Sequence, residues 1–318
     1  MKNRLIAVLP ALAPLLIIAQ YLLVPNFRTF TAVEQNAPTN VFVWFMALFS
    51  VIFFLWYLAG FFSQVAAESL RKRSPIFVAA FLMLLAYDWA TLSMGLLPQP
   101  FVPWPDAILN AIIRDREILA RSVYHSLRLL FTGYAIGVLL GIIAGVAAGR
   151  SAKVRYWVAP IIKVLGSIPA VTWLPIILVL ANSLFQGAVF LIALAVWYPV
   201  TSTTMNGVLN VPKGIFEAAS TFGVSKVGMI FKVAIPASSP FIFQGLTQGM
   251  SIACTALLIA ELMGVEAGLG WYINWQRGWA DFAGMYGAVL IICITFFIVN
   301  ALLNLLKSYV LRWKEGDV

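Results

Sequence analysis

Long apolar stretches separated by short polar ones dominate this chain. A helix needs about 20 mostly apolar residues to cross roughly 30 Å of hydrocarbon, and about eight segments have that character. They lie at about 5–24, 41–63, 76–97, 127–148, 157–180, 185–205, 236–262 and 285–306. The pattern therefore predicts an all-α integral membrane protein with about eight transmembrane helices.

Prolines interrupt two of these segments. Pro169 and Pro175 fall in the fifth predicted span, and Pro199 falls in the sixth. A proline frees a backbone carbonyl, so neighbouring helices or a cavity must accommodate each interruption.

Composition and charge agree with a membrane location. Hydrophobic residues make up 62% of the chain and charged residues 10%, which excludes an ordinary soluble domain. Of the 21 Lys and Arg residues, 14 fall on every second loop or terminus, starting with the N-terminus. Six fall on the opposite set of loops, and Lys163 lies inside a span. This asymmetry places both termini in the cytoplasm. The net charge of +9 is explained by acidic membrane lipid as the partner, without nucleic acid.

One polar stretch, EAASTFGVSKVGMIFKVAIP at Glu217–Pro236, interrupts the apolar pattern inside a predicted cytoplasmic loop at about 206–235. It predicts a short helix from about Pro212 to Phe222, a turn at Gly223, and a second helix that Ser225 caps and Pro236 ends. Composition alone leaves open an interfacial helix, a re-packed loop and a docking surface for another protein.

The same stretch resembles the EAA motif of bacterial ABC importer permeases. The shared positions are Glu217, Ala218, Ala219, Gly223 and Pro236, and only two aliphatic positions depart from the pattern. In that family this loop forms the coupling helix, which sits in a groove of a cytoplasmic ATPase subunit. The resemblance thus implies that these residues couple the chain to an ATPase.

Other segments resemble the nitrate, sulfonate and taurine branch of these permeases. They are Ser126-Leu127-Arg128 with the glycines that follow, the proline-rich stretch at 167–175, and Ala260–Gly264 with Gly268–Gly270. The likeness covers roughly residues 76–312.

This resemblance implies a fold and a set of partners. The fold is a six-helix type I importer core over 76–318, preceded by two extra transmembrane helices over 1–75. The partners are two ABC ATPase subunits, an extracytoplasmic solute-binding protein and a second permease copy in a homodimer, all at the bacterial inner membrane. The solute would be nitrate, a sulfonate, taurine or a similar small anion, although some relatives import heteroaromatic vitamin precursors.

Five glycines repeat at a spacing of four within and just after the fourth predicted span. They are Gly133, Gly137, Gly141, Gly145 and Gly149. Small residues at this spacing share one helix face and let another helix approach closely. The pattern predicts a tight helix contact, either within the chain or between subunits.

Charged groups inside spans are costly and are therefore candidates for function. Three such groups are present: Asp88, Lys163 and Glu261. The alternative for Asp88 is structural pairing, for Lys163 it is snorkelling to the interface, and for Glu261 it is an architectural role. A transport pathway would comprise Asp88, Lys163, Thr172, Trp173, Tyr198 and Glu261.

The chain lacks other chemistry. The sequence contains no G-x-x-x-x-G-K-[ST] phosphate-binding loop, so ATP and Mg would act through a separate ATPase. We expect no metal site and no catalytic residues, and hence not an enzyme. The main rival hypothesis is an ion-coupled secondary transporter, which would show inverted repeats and buried charges near the midplane.

Overall fold

A computed structural model describes residues 2–27 and 37–312, and every regular element in these ranges is a helix. The predicted cytoplasmic Lys314 and the opposing Arg28 lie outside the described residues. In chain order the helices are α1 (Lys2–Leu23), α2 (Val41–Phe62), α3 (Gln64–Asp88), α4 (Pro105–Arg114), α5 (Arg116–Arg150), α6 (Ala152–Ser167), α7 (Leu174–Leu180), α8 (Leu184–Leu209), α9 (Lys213–Thr221), α10 (Lys226–Gly228), α11 (Ile235–Met263), α12 (Leu269–Gly278) and α13 (Phe282–Val310).

Three short segments of other helical geometry complete these elements. A π-helical turn, Trp89–Ser93, extends α3, and a second, Met229–Ala234, joins α10 to α11. A 3₁₀ turn, Ala170–Trp173, lies between α6 and α7.

The predicted all-α membrane fold is confirmed, and the predicted count of spans is close. Among the described residues, six helices are long and apolar enough to cross a membrane, and a bent pair brings the number to seven. The first predicted span corresponds to α1 (Lys2–Leu23), within which Ala7–Leu23 is an apolar stretch.

The fifth predicted span is a bent pair. Ala152–Ser167 and Ala170–Leu180 meet at an angle of 90°. Pro169 explains the break, because it disfavours helical geometry in the residue before it, and Ile168 is extended with φ −111° and ψ 118°. Pro175 lies in the first turn of α7, where a missing N–H costs nothing.

The chain forms two compact units. One comprises Met1–Arg116 and Gln276–Ala288, and the other comprises Glu117–Trp275 and Val289–Val318. The first unit includes α3 and α4 as well as α1 and α2, so its extent differs from the predicted accessory segment 1–75. The functional division at residue 75 stays a prediction.

In the first unit, α1, α2 and α3 pack through an aromatic-rich cluster. Phe53 of α2 meets Phe77 and Phe81 of α3 with ring centroids 4.8 and 5.7 Å apart. Asp106 of α4 orders the start of α2, because its carboxylate accepts hydrogen bonds from the backbone N–H of Thr39 at 2.6 Å and of Phe42 at 2.9 Å. Such capping satisfies donors that a helix start leaves unpaired.

In the second unit, the glycine face of α5 packs directly on α8. A Cβ atom on any of the five glycines would come within 2.9 Å of an α8 side chain, closer than real Cβ contacts allow. The α8 partners also repeat every four residues: Ile192, Val196, Val200, Thr204 and Val208. The two helices therefore run parallel and in register, and the glycine stripe makes a contact within the chain.

Helix α11 also packs on α8 through small residues of its own. A Cβ on Gly245 would lie 3.1 Å from the Cα of Val200, and one on Gly249 would lie 3.3 Å from Val196 Cγ1. Helix α8 is consequently buried between α5 and α11, and the loop carrying α9 connects two helices of this block.

The register of α5 and α8 can be tested with Gly137→Leu. The larger side chain would overlap Ala193 and Val196, so we expect the substitution to cost about 1–3 kcal/mol and to lower the melting temperature of the purified protein. Ala135→Leu is the matched control because Ala135 is exposed on the same helix. Equal melting temperatures for the two variants would contradict the packing described.

Candidate functional site

The polar loop between α8 and α11 folds as a short surface helix. Pro212 precedes α9 with φ −54° and ψ 134°. At its other end, the N–H of Gly223 bonds to the Ser220 carbonyl at 3.0 Å and the N–H of Val224 bonds to the Ala219 carbonyl at 3.1 Å. This pair of bonds is the Schellman arrangement, in which the residue at the glycine position takes a left-handed conformation.

Gly223 supplies that conformation with φ +74°. A Cβ at this position would meet nothing within 4 Å, so conformation, rather than space, requires glycine here. This accounts for the fixed distance between Ala219 and Gly223 in the motif.

The motif residues of α9 are mostly on its surface. Glu217 and Ala218 are exposed, Ala219 is half-buried, and Phe222 is 88% exposed. The described part of the chain therefore leaves Glu217, Ala218 and Phe222 uncovered.

The second piece of the loop begins as expected and ends differently. Ser225 caps it, since its Oγ accepts a hydrogen bond from the Gly228 N–H at 3.1 Å. The prediction that Pro236 ends this helix is wrong, because Lys226–Met263 forms one continuous span. The π turn uses wider bonds, such as Ile235 N–H to the Ile230 carbonyl, and Pro236 then falls in the first turn of α11, where a proline is tolerated.

The bend between α6 and α7 brings together several predicted pathway residues. Tyr198 of α8 lies against the bend, because a Cβ on Gly166 would come 2.7 Å from its ring. A cavity of about 180 Å³ is lined here by Gly166, Ser167, Pro169 and Tyr198, among others. Irregular backbone at membrane depth is tolerated where it lines such a cavity.

The neighbouring candidates flank this bend along the chain. Lys163 is exposed on α6, and its carbonyl accepts a hydrogen bond from Ser167 Oγ at 2.8 Å. Thr172 is exposed in the 3₁₀ turn. Trp173 packs against the main hydrophobic cluster, and its indole N–H is buried without a hydrogen-bond partner.

Glu261 lies in a closed network that joins three helices. It is 2% exposed, and its carboxyl oxygens accept hydrogen bonds from Ser126 Oγ at 2.7 Å and from the Gly270 N–H at 2.8 Å. Ser126 Oγ accepts in turn from the Leu269 N–H at 2.9 Å. The carboxyl group therefore fixes the start of α12 to α5 and α11, which sequence reasoning could not show because Ser126 is remote in the chain.

Asp88 lies in the other compact unit. It is fully buried, and neither carboxyl oxygen has a hydrogen-bond partner. Gln20 of α1 is the polar side chain beside it, and the Gln20 amide donates to Ser93 Oγ at 2.9 Å. The other predicted pathway residues all belong to the second unit.

A polar network outside the spans joins α4 to the segment before α13. Arg114 bonds to Asp115 at 3.1 Å and also to Asp281, and the Gln276 amide donates to Asp115 at 2.9 Å. The hydrogen bond that the Arg114 guanidinium donates to Asp115, followed by the one it donates to Asp281, raises the pKa of Arg114 above its ordinary value. Among the described residues, no group of three His, Cys, Asp or Glu side chains could hold a metal ion.

Comparisons with known proteins agree on one family. A protein-family model described as "Binding-protein-dependent transport system inner membrane component" matches residues 137–315. The chain is 26% identical to the nitrate import permease protein NrtB of Leptolyngbya laminosa, over 79% of this chain and 91% of that protein. It is 24% identical to the taurine transport system permease protein TauC of Escherichia coli K12, over 78% and 93%.

A solved structure shares the fold. The inward-facing MetNI methionine ABC transporter contains a chain that matches with a TM-score of 0.53 and 20% identity, over 62% of this chain and 98% of that one. At this identity the match concerns the fold alone.

The Glu261 network can be tested with Glu261→Ala. Removal of the carboxyl group leaves buried donors unpaired at a cost of about 1–3 kcal/mol. We expect amide hydrogen exchange at residues 269–275 to become roughly tenfold faster. Glu266→Ala is the control, because Glu266 is exposed nearby; unchanged exchange in the Glu261 variant would refute the clamp.

Proposed function

The chain belongs to the family of binding-protein-dependent transport system inner membrane components, and on this premise we propose that it is the permease subunit of an ATP-driven ABC importer. The observation that carries the proposal is the exposed helix α9, which the Gly223 turn ends and which connects two helices of one packed block. A protein that binds α9 and changes shape would move α8 and α11 directly.

Two cytoplasmic ATPase subunits are the partners proposed for α9. They would bind ATP and Mg, while this chain would bind neither. Glu217, Ala218, Ala219 and Gly223 would form the docking surface, and Pro236 would carry the motion into α11. A ligand shifts a conformational equilibrium only by its different affinity for the two states, so nucleotide must change how the ATPase holds α9.

The remaining partners follow from the same family. A solute-binding protein would deliver the solute at the extracytoplasmic face, and a second copy of the chain would complete the pathway as a homodimer. The protein would reside in the bacterial inner membrane with both termini and α9 on the cytoplasmic side. Residues 76–318 would form the transport core, and residues 1–75 an accessory pair of helices.

The bend beside Tyr198 is the part of the pathway that we propose contacts the solute. Its cavity combines the Tyr198 phenol with the Ser167 hydroxyl, and Lys163 lies one turn earlier on α6. Ser167 already donates its hydroxyl to the Lys163 carbonyl, so the Tyr198 hydroxyl is the donor that we propose for the solute, and a hydroxyl donor with a nearby cation suits a small oxyanion. The relatives described for nitrate and taurine support an anion of this kind, and a heteroaromatic vitamin precursor is the alternative.

The first prediction concerns the Gly223 turn. Gly223→Val places a β-branched residue at positive φ, where it is strained, whereas Gly223→Asn keeps a residue that tolerates this conformation. We expect the valine variant to insert normally but to lose about tenfold or more of ATP-dependent uptake, and the asparagine variant to keep most of it. Uptake and membrane content are measured in the same cells.

If Gly223→Val transported as well as the unaltered protein, α9 would not be the coupling element. If both variants failed equally, the left-handed conformation would not explain the glycine.

The second prediction concerns Tyr198. Tyr198→Phe removes one hydroxyl donor while the ring still fills the space beside Gly166. Loss of a hydrogen bond to a charged solute costs about 1.5 kcal/mol, so the nitrate or taurine concentration for half-maximal uptake should rise roughly tenfold. Tyr156→Phe, on an exposed site of α6, is the control, and an unchanged concentration dependence would exclude this contact.

A further inference from the structure

Phe216 is the more buried of the two large apolar residues in the surface helix α9. The other large apolar residue inside the helix, Ile215, is 46% exposed, whereas Phe216 is half-buried. Phe216 packs against a small cluster of three buried residues, one each from α5, α8 and the π turn before α11: Val146, Val208 and Ala234. The side chain just before Glu217 therefore packs against a cluster to which all three elements contribute.

Arg150, the last residue of α5, covers the same ring. Its guanidinium carbon lies 4.6 Å from the centroid of Phe216, within the range of a cation–π interaction. The preceding residue, Gly149, packs on Val208 of α8, so Arg150 extends from the point where the in-register packing of the two helices ends.

We propose that Arg150 and Phe216 form a joint that transmits displacement of α9 to α5, in addition to the chain connections to α8 and α11. The proposal rests on the proposed function, because the joint transmits a displacement only if a partner moves α9. The chain itself leads from α9 to α8 through residues 210–212 and to α11 through residues 222–234. No direct chain connection joins α9 to α5, so a displacement of α9 reaches α5 through the Phe216 contact, through the cluster of Val146, Val208 and Ala234, and through the packing of α5 against α8.

The geometry of the loop favours such a joint. A Cβ on Gly223 would meet nothing within 4 Å, and the neighbouring Phe222 is 88% exposed, so the Gly223 end of α9 is not closely packed on its own unit. The Phe216 end is packed. A push on the exposed face of α9 would therefore be transmitted at Phe216, at the ring that Arg150 covers.

The first experiment tests whether the contact orders α9. Hydrogen exchange is measured on the full-length protein in lipid nanodiscs for Phe216→Leu, Arg150→Gln and the double variant. Phe216→Leu keeps an apolar side chain, and Arg150→Gln leaves the packed cluster intact. Lys153→Gln is the matched control, since it removes an exposed positive charge three residues after Arg150.

We expect amides of residues 213–221 to exchange about twofold to fivefold faster in both single variants, as loss of one exposed cation–π contact implies. The double variant should be no faster than Phe216→Leu, because the two residues act through one contact. Additive effects, or equal acceleration by Lys153→Gln, would overturn the contact.

The second experiment tests transmission. The full chain is reconstituted in vesicles with the ATPase that co-purifies with it and with its binding protein, and ATP hydrolysed per nitrate or taurine imported is measured. Arg150→Gln should raise this ratio about twofold to fivefold while the amount of bound ATPase stays the same. An unchanged ratio with faster exchange in α9 would overturn the role in transmission.

The failure of the proposed function would look different. In that case the unaltered protein would import neither probe with ATP and would retain no ATPase, whatever the exchange data showed. That result would overturn transmission together with the proposed function.

Discussion

The close approach of α5 and α8 is the contact on which the rest of the second compact unit depends. Five glycines on one helix meet five α8 residues on the other at the same spacing. Because every turn repeats the contact, neither helix can slide or rotate without overlapping backbone and side-chain atoms along most of its length. Helix α11 also packs closely on α8, through Gly245 and Gly249, so α8 is in close contact with both α5 and α11.

The surface helix α9 is attached to these close-packed helices. Helix α9 lies in the loop between α8 and α11, and Phe216 packs it onto the ends of the block. In the proposed function, a capped helix fixed to close-packed spans would transmit a displacement that a mobile loop would absorb. The irregular elements lie next to this block: the 90° bend after α6 faces α8 at Tyr198, and the π turn precedes α11. Irregular helical segments of this kind are common at functional sites.

Much of this architecture could be predicted from local sequence. The apolar segments indicated the helical membrane fold, and Pro212, Gly223 and Ser225 marked the ends of the loop elements because each has a specific backbone preference. The glycine spacing predicted a tight contact but not its partner. The matching period of Ile192 to Val208 was readable in the sequence, yet β-branched residues at a spacing of four are common in apolar helices and do not identify a partner.

The remaining features depend on contacts that no local pattern encodes. Glu261 is satisfied by Ser126, 135 residues away, and Pro236 continues a helix only because a π turn precedes it. Asp106 orders α2 rather than its own helix, since the chain brings Thr39 and Phe42 to it. Tyr198 likewise lies against the bend at Gly166 although it is remote in the chain.

The central claim is that a separate ATPase drives this chain through α9. Its most direct test is solute uptake into sealed vesicles containing the full-length chain and its co-purified ATPase, with ionophores present and nitrate or taurine as the probe. The account predicts uptake that requires ATP and persists when every ion gradient is collapsed. Uptake that proceeds without nucleotide and stops when the gradients are collapsed would contradict it.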